Sequence, residues 1–363
     1  HIPEYYILEY PDWVNTIAIT KDGKFVFVRQ YRPGLGRTSY DECVQWTCDM
    51  FDDAAGRLPA TRTGSEYGLA TSVAAKALKA RLLLYAASPL FNGNTEYYSD
   101  FVNTDGSSLM PLSYDENKWK KAADAALEAI NLAESNGYSL YEMREGDLSG
   151  YPEPQDLTQR TLRFTFMDKD NSKEVLFAET RKAGAYGLQP KSLPYLSDGS
   201  WNGVAPTLTM VERFYTKNGL PIDEDPKYYT PGDYFKIGQY EGRTTCNLNL
   251  KREPRFYSWV SFHNGYFEMQ REGYNEGRIV TMFRKSDNHG KQNRSTDFSL
   301  SGYLVKKWCT PTYDTRNGFQ NYPWPVIRLG ELYLNLAEAA AEAGELNIAK
   351  TALNKIREHA GIP

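Results

Sequence analysis

Three stretches of this sequence place alanine and leucine at the spacing of a helix that must pack closely against another helix. In "SVAAKALKARLLLYAASPLFNG" the residues Val73, Ala77, Ala80, Leu84 and Ala87 follow one another at intervals of four, three, four and three. That is one face of a 3.6-residue period. "DENKWKKAADAALEAINLAESNG" repeats the pattern with Ala123, Leu127, Ile130 and Ala133, with Asp115 as a cap and Asn136-Gly137 as a stop. "PVIRLGELYLNLAEAAAEAG" carries Leu329, Tyr333, Leu336 and Ala340, and Pro325 reads as its first-turn proline. After Gly344, "ELNIAKTALNKIREHAG" carries Leu346, Ala349, Leu353, Ile356 and Ala360. Small residues at the contact and a tight glycine turn predict an antiparallel helical hairpin of the tetratricopeptide-like kind. A further helix, "SYDECVQWTCDMFDDAAGRLP", starts at Ser39 as a candidate cap and is expected to stop at Gly56.

Between about 138 and 323 helical periodicity fades. The stretch is rich in Tyr, Gly, Pro and Asn, with isolated strand-like pieces such as "EVLFAET" and "RFYSWVSF". A loop-dominated stretch this long is functional or disordered, and its aromatic content argues against disorder. Upstream, "NTIAIT" and "KFVFVRQ" flank Lys21-Asp22-Gly23, a β-hairpin signal. The fold class read from the sequence is mainly α. Helical pairs at 39–136 and 325–360 surround a large irregular insert with short strands, preceded by an N-terminal β-hairpin.

Composition narrows the chemistry. A net charge of -4 leaves no basic field for a phosphate backbone, so nucleic acid is not expected as a partner. Cys43, Cys48, Cys246 and Cys309 have no zinc spacing and read as buried free thiols. His1, His263, His289 and His359 fall in no metal or nucleophile motif, so neither a catalytic set nor a metal or cofactor is expected. The acidic runs Asp52-Asp53 and Asp223-Glu224-Asp225 read as solvated. Gly34, Gly36 and Ser39 approach a dinucleotide fingerprint, but two helices follow without a strand between them. Ser39 is therefore expected to cap a helix and hold no phosphate.

The unusual number is aromatic content, 14%, with 27 Tyr and 7 Trp. A pyranose has apolar faces that stack on rings and a hydroxyl rim that needs amides and acids. Three loop-like stretches supply both: "GLQPKSLPYLSDGSWNGVAP", "HNGYFEMQREGYNEGR" and "FNGNTEYYSDF". The candidate ligand residues are Trp201, Tyr195, Asp198, Asn202, Tyr266 and Tyr274, with Tyr97 and Tyr98 as weaker candidates. The competing reading for each ring is a core anchor for its loop.

Several blocks in their order resemble the SusD/RagB-like family. They are "AAKALKARLLLYAASPLFNG", "PTLTMVERFYTKNGLPIDE", "LKREPRFYSWVSFHNG", "SGYLVKKW" and "PWPVIRLGELYLNLAEAAAEAG", with "SYDECVQWTCDMFDDAAGRLP" ahead of them. The resemblance covers about residues 37–363. It implies a tetratricopeptide-like scaffold and non-catalytic glycan binding at the bacterial cell surface. It also implies an outer-membrane lipoprotein and hand-over to a SusC-like TonB-dependent transporter. No signal peptide or lipidation cysteine is read in the chain, so the anchor is inferred, and truncation at both ends is expected. Residues 1–36 resemble instead the opening strands of a Nudix hydrolase of the nucleoside-diphosphate-sugar type, without the R-E-x-x-E-E run that binds metal. A two-part chain, 1–36 and 37–363, is the expectation. The alternative functions are a Nudix-type hydrolase remnant and a helical-repeat scaffold for protein partners.

Overall fold

The computed structural model describes residues 39–147, 153–180, 187–196, 200–270, 277–316 and 318–363, with the backbone of 18–19 and 25–26. The two short strands β1 (Ala18–Ile19) and β2 (Phe25–Val26) pair antiparallel, Ala18 opposite Val26 and Ile19 opposite Phe25. Helix α1 (Tyr40–Arg57) begins where Ser39 accepts the Glu42 N–H while the Glu42 carboxylate accepts the Ser39 N–H at 3.1 Å. This reciprocal cap satisfies two N–H groups that the first turn leaves without partners. The helix passes through Gly56 and stops one residue later. Helix α2 (Ser72–Ala87) is capped by Thr71 and ends before Pro89.

Asn92 then ties two helices together. Its amide donates to the Ala87 and Asp115 carbonyls and accepts the Asp115 N–H at 2.9 Å. Gly93 beside it has φ +81°, and a Cβ there would lie 2.5 Å from the Tyr114 nitrogen, so only glycine fits. The short α3 (Thr95–Tyr98) lies in the loop before α4 (Asn117–Ser135). Asp115 accepts the Asn117 N–H at 3.0 Å at the start of α4, and Gly137 in the left-handed region closes it.

The chain then leaves the helices. The irregular part contains α5 (Leu157–Phe164), β3 (Val175–Glu179), α6 (Leu188–Ser192) and α7 (Leu208–Arg213). It continues with β4 (Ile237–Tyr240), β5 (Arg243–Cys246), α8 (Pro254–Trp259), β6 (Val260–Ser261), β7 (Tyr266–Glu268), β8 (Arg278–Val280) and β9 (Leu304–Val305). Strand β10 (Trp324–Arg328) leads back into α9 (Leu329–Glu342) and α10 (Leu346–His359). All ladders among the described residues are two-stranded and antiparallel: β3 with β10, β4 with β5, β6 with β9, β7 with β8, besides β1 with β2.

Packing makes the order α1, α2, α4, α9, α10, each helix against the next. The fold is therefore a mainly helical, tetratricopeptide-like stack with a long excursion between α4 and α9. Its core is alanine-rich: Ala77, Ala80, Ala126, Ala129, Ala133, Ala339 and Ala340 are buried with Leu329, Leu332 and Leu336. The excursion carries cores of its own. One gathers Phe214, Tyr228, Tyr234, Phe256, Phe262 and Tyr303, and another gathers Leu193, Phe267, Met269 and Tyr313. Much of the aromatic excess is used there.

Several expectations need correction. Leu127, Leu346 and Leu353 were placed on inner faces but are exposed. The helices touch through alanines at close range, and this turns the larger leucines to the flanks. "RFYSW" is helix α8 rather than strand, because Pro254 sits in the first turn and presets φ. Pro325 belongs to β10, where it sits beside a register shift in a two-stranded ladder, a position that tolerates its missing N–H. Cys48 and Cys309 are buried, Cys246 is half-buried and Cys43 is exposed, all as free thiols.

Candidate functional site

Helix α6 and the loop after it set the first part of the site. The Trp201 N–H donates to the Pro190 carbonyl at 2.9 Å and the Gly203 N–H donates to the Lys191 carbonyl at 2.8 Å. The loop therefore folds back onto its own helix. Trp201 keeps 47% of its surface in solvent. The Lys191 ammonium stands 5.3 Å from its ring centre.

Asn202 next to it is fully buried. Its backbone is left-handed, with φ 48°, a region that asparagine tolerates better than most residues. Its amide donates to the His289 carbonyl at 2.7 Å and to the Asp297 carbonyl at 3.4 Å. Asn202 therefore stitches this loop to the loop around 287–298. Across that seam the Arg294 guanidinium lies 3.8 Å from the Tyr195 ring centre. Trp201, Tyr195 and Asn202 are thus brought into one loop cluster. Asp198 and Tyr274 lie outside the described residues.

Through Gln189, α6 is hydrogen-bonded to two residues of a polar cleft. Gln189 accepts the Thr310 N–H at 2.9 Å and donates to the Gln320 carbonyl at 3.3 Å. The cleft, about 420 Å³, is lined by Asp168, Asp170, Thr312, Gln320, Asn321 and Tyr322 among others. Acids, amides and hydroxyls of this kind suit a hydroxylated ligand, and the volume falls within the range of small-molecule sites.

Tyr266 stands elsewhere and differently. Two guanidinium groups stand over its ring, Arg278 at 3.8 Å and Arg243 at 4.3 Å from its centre, and its hydroxyl donates to Glu241 at 2.8 Å. The cavity beneath it is about 130 Å³, smaller than a ligand site of ordinary size. That cavity rests on a buried ionic group. Lys306 donates to Glu268 at 2.8 Å and to the Tyr266 carbonyl at 3.0 Å, and Arg163 lies 3.4 Å from the second Glu268 oxygen. Arg163 also holds the Lys306 and Cys309 carbonyls. Burial pushes the Lys306 amine below its ordinary range and the Glu153 carboxyl above its own. These charges join α5, β7 and β9, and sequence reasoning missed them. The one signal was a pair of lysines directly after the apolar Leu304-Val305.

Tyr97 and Tyr98 sit in the α3 loop, Tyr97 exposed and edge-on to Tyr98. The acidic run 223–225 is not all solvated. Asp225 is buried and accepts from Thr216 at 2.6 Å and Asn218 at 2.8 Å, locking the Lys-Asn-Gly turn. Burial pushes the His263 pKa down, and its Nδ1 accepts the Phe283 N–H. Among the described residues no group of histidine, cysteine and acidic side chains is placed to hold a metal ion. None of their helices is long and apolar enough to cross a membrane.

The sequence profile of the SusD family matches residues 171–363, more than half of the chain. The chain belongs to the SusD family. The solved structure of BT4246 superposes on this SusD-family chain with a TM-score of 0.77 at 34% identity, over 90% of this chain and 60% of that one. A SusD-like protein (BF3747) from Bacteroides fragilis NCTC 9343 superposes with a TM-score of 0.65 at 23% identity, over 96% of this chain and 58% of that one. A SusD-like carbohydrate binding protein (BF0978) from the same organism gives 0.57 at 19% identity, over 90% and 51%. The latter two share the fold. This SusD-family chain thus spans about 60% or less of the length of these relatives. No curated protein matches it. The expected division at residues 36 and 37, and the Nudix likeness with it, fall almost wholly outside the described residues.

Proposed function

We propose that this chain captures an oligosaccharide, without catalysis, at the bacterial outer surface, and passes it to a SusC-like TonB-dependent transporter. The observation that carries the binding half is the half-exposed Trp201 indole on a loop pinned by the buried Asn202. Gln189 of α6, the helix that loop folds back onto, hydrogen-bonds Thr310 and Gln320 of the polar cleft. A sugar face stacks on the indole, and the acids and amides of the cleft read its hydroxyls. The carbohydrate binding stated for BF0978 agrees with it. The transporter partner, the outer-membrane location and the absence of catalysis rest on the family.

A shallow open site of this kind should bind at about millimolar to micromolar, or roughly -4 to -8 kcal/mol. A glycan array followed by calorimetry on the best hit tests the reading. Trp201→Ala should remove most of the affinity and leave the fold intact. Wild-type affinity in that variant rules out this site. Co-purification with a co-expressed SusC-like transporter tests the second half, and failure to associate there removes the delivery role.

A further inference from the structure

We propose that the glycan taken by the Trp201 loop cluster is anionic, carrying a carboxylate or a sulfate ester. The proposal rests on the glycan-binding reading and concerns the charge of the ligand.

Three aromatic rings in this cluster each carry a cation. Lys191 stands 5.3 Å from the Trp201 ring centre, Arg294 stands 3.8 Å from Tyr195, and Lys291 stands 5.3 Å from Phe298. Asn202 binds the carbonyls of both His289 and Asp297, so the two loops that supply these cations are joined. None of the three cations meets a carboxylate among the described residues. Besides the Tyr195 ring, the Arg294 guanidinium meets, among the described residues, the Gln292 side chain and the Asn288 and Gly290 carbonyls, and its Nε is buried without a hydrogen-bond partner.

Several half-buried cations elsewhere meet a carboxylate, whereas the buried Arg252 is held by carbonyls and Lys307 stands over Trp259. Lys76 meets Asp52, Lys118 meets Asp41, Arg328 meets Glu174, and Arg255 meets Glu253. The nearby acids among the described residues offer little compensation. Asp287 accepts the Arg284 N–H at 2.9 Å and lies 3.5 Å from His263, and Asp297 is the other carboxylate on that loop. On a chain of net charge -4, unmatched cations gathered on stacking rings are an anion-recognising surface. A sugar ring lies on the indole while its acidic substituent takes charge-assisted hydrogen bonds from Lys191 or Arg294. Lys191 and Arg294, each held over a ring and half-buried, are partly desolvated, which strengthens that contact.

The test is a glycan array holding neutral, uronate-bearing, sialylated and sulfated oligosaccharides, probed with the whole chain. Calorimetry then compares each hit with a charge-free counterpart, such as a methyl-esterified uronate or a desulfated ester. Anionic hits are expected, with an advantage over the neutral counterpart that shrinks between 20 mM and 500 mM NaCl because exposed charges are screened. Arg294→Gln should weaken an anionic hit about tenfold, the scale of one charge-assisted hydrogen bond. Lys191→Gln serves as the second variant should Arg294→Gln fail to fold. Carboxylate hits and sulfate hits are separate arms and identify which group is read. Hits confined to neutral glycans overturn the proposal and leave the glycan-binding reading standing. An array with no hits overturns both.

Discussion

Trp201 and Asn202 are neighbours in the chain and opposites in environment, with 47% of the tryptophan exposed and 0% of the asparagine. The two substitutions should therefore separate cleanly. Trp201→Ala should lower glycan affinity at least tenfold and shift the melting temperature by no more than about 2 °C, as a surface change does. Asn202→Ala should cost about 1–3 kcal/mol by stranding the buried His289 carbonyl and the part-buried Asp297 carbonyl. Calorimetry and thermal melts read the two effects, and a Trp201→Ala chain that melts early would make the indole an anchor.

Arg243 and Arg278 both stand over the Tyr266 ring, at 4.3 Å and 3.8 Å from its centre. Tyr266→Ala should leave glycan affinity within about twofold while lowering stability, since large aromatic truncations in packed surroundings cost about 3–5 kcal/mol at most. A tenfold loss of affinity in a folded Tyr266→Ala chain would show that the arginines swing away for a ligand.

Glu268 serves two buried cations, Lys306 and Arg163. Glu268→Gln leaves both without a carboxylate in the low-dielectric interior and should cost about 3–5 kcal/mol. Lys306→Met leaves the Arg163 pair in place and should cost less. Urea unfolding orders the two variants, and the reverse order would place the main compensation of Lys306 in its backbone contacts.

Lys307 stands 4.3 Å from the Trp259 ring centre with Arg328 and Arg255 near it. Burial, then those two guanidinium charges, lower its pKa to about 8 from 10.5. Between those values the unfolded chain holds more protons than the folded one, so stability from this group rises with pH across that window. Below it, the folded chain carries the full cost of the charged amine. Lys307→Met should therefore stabilise at pH 7, and its gain should shrink as pH approaches 10. Chemical denaturation of both chains at pH 7, 8.5 and 10 reads the difference, and a constant gain removes the titration from the explanation.

The scaffold was legible because helices advertise themselves locally. Ser39, Thr71 and Gly137 act within a turn of where they stand, and alanine at the helical period needs no partner in view to be read. What periodicity could not weigh was size. Leu353 lies in the predicted line yet remains 43% exposed, because the contact distance suits Ala349 and Ala352. The aromatic half of the proposed site was legible for the same local reason, since Tyr195, Trp201 and Asn202 share one short stretch. The charged half was not. Arg294 reaches Tyr195 only after Asn202 has joined two loops that are far apart in sequence, and no spacing rule encodes that meeting.

Helices α4 and α9 pack together although the whole irregular region lies between them. The order of synthesis gives this arrangement a cost in time. A chain emerging N-terminus first presents the alanine face of α4 long before α9 exists to cover it. The loop-closure penalty grows only logarithmically with the length of the excursion, so delay is the larger burden. The first three long helices must wait, half-assembled, for the last hairpin. Helix α9 then covers α4, and whatever shields α4 until then guards the chain against aggregation.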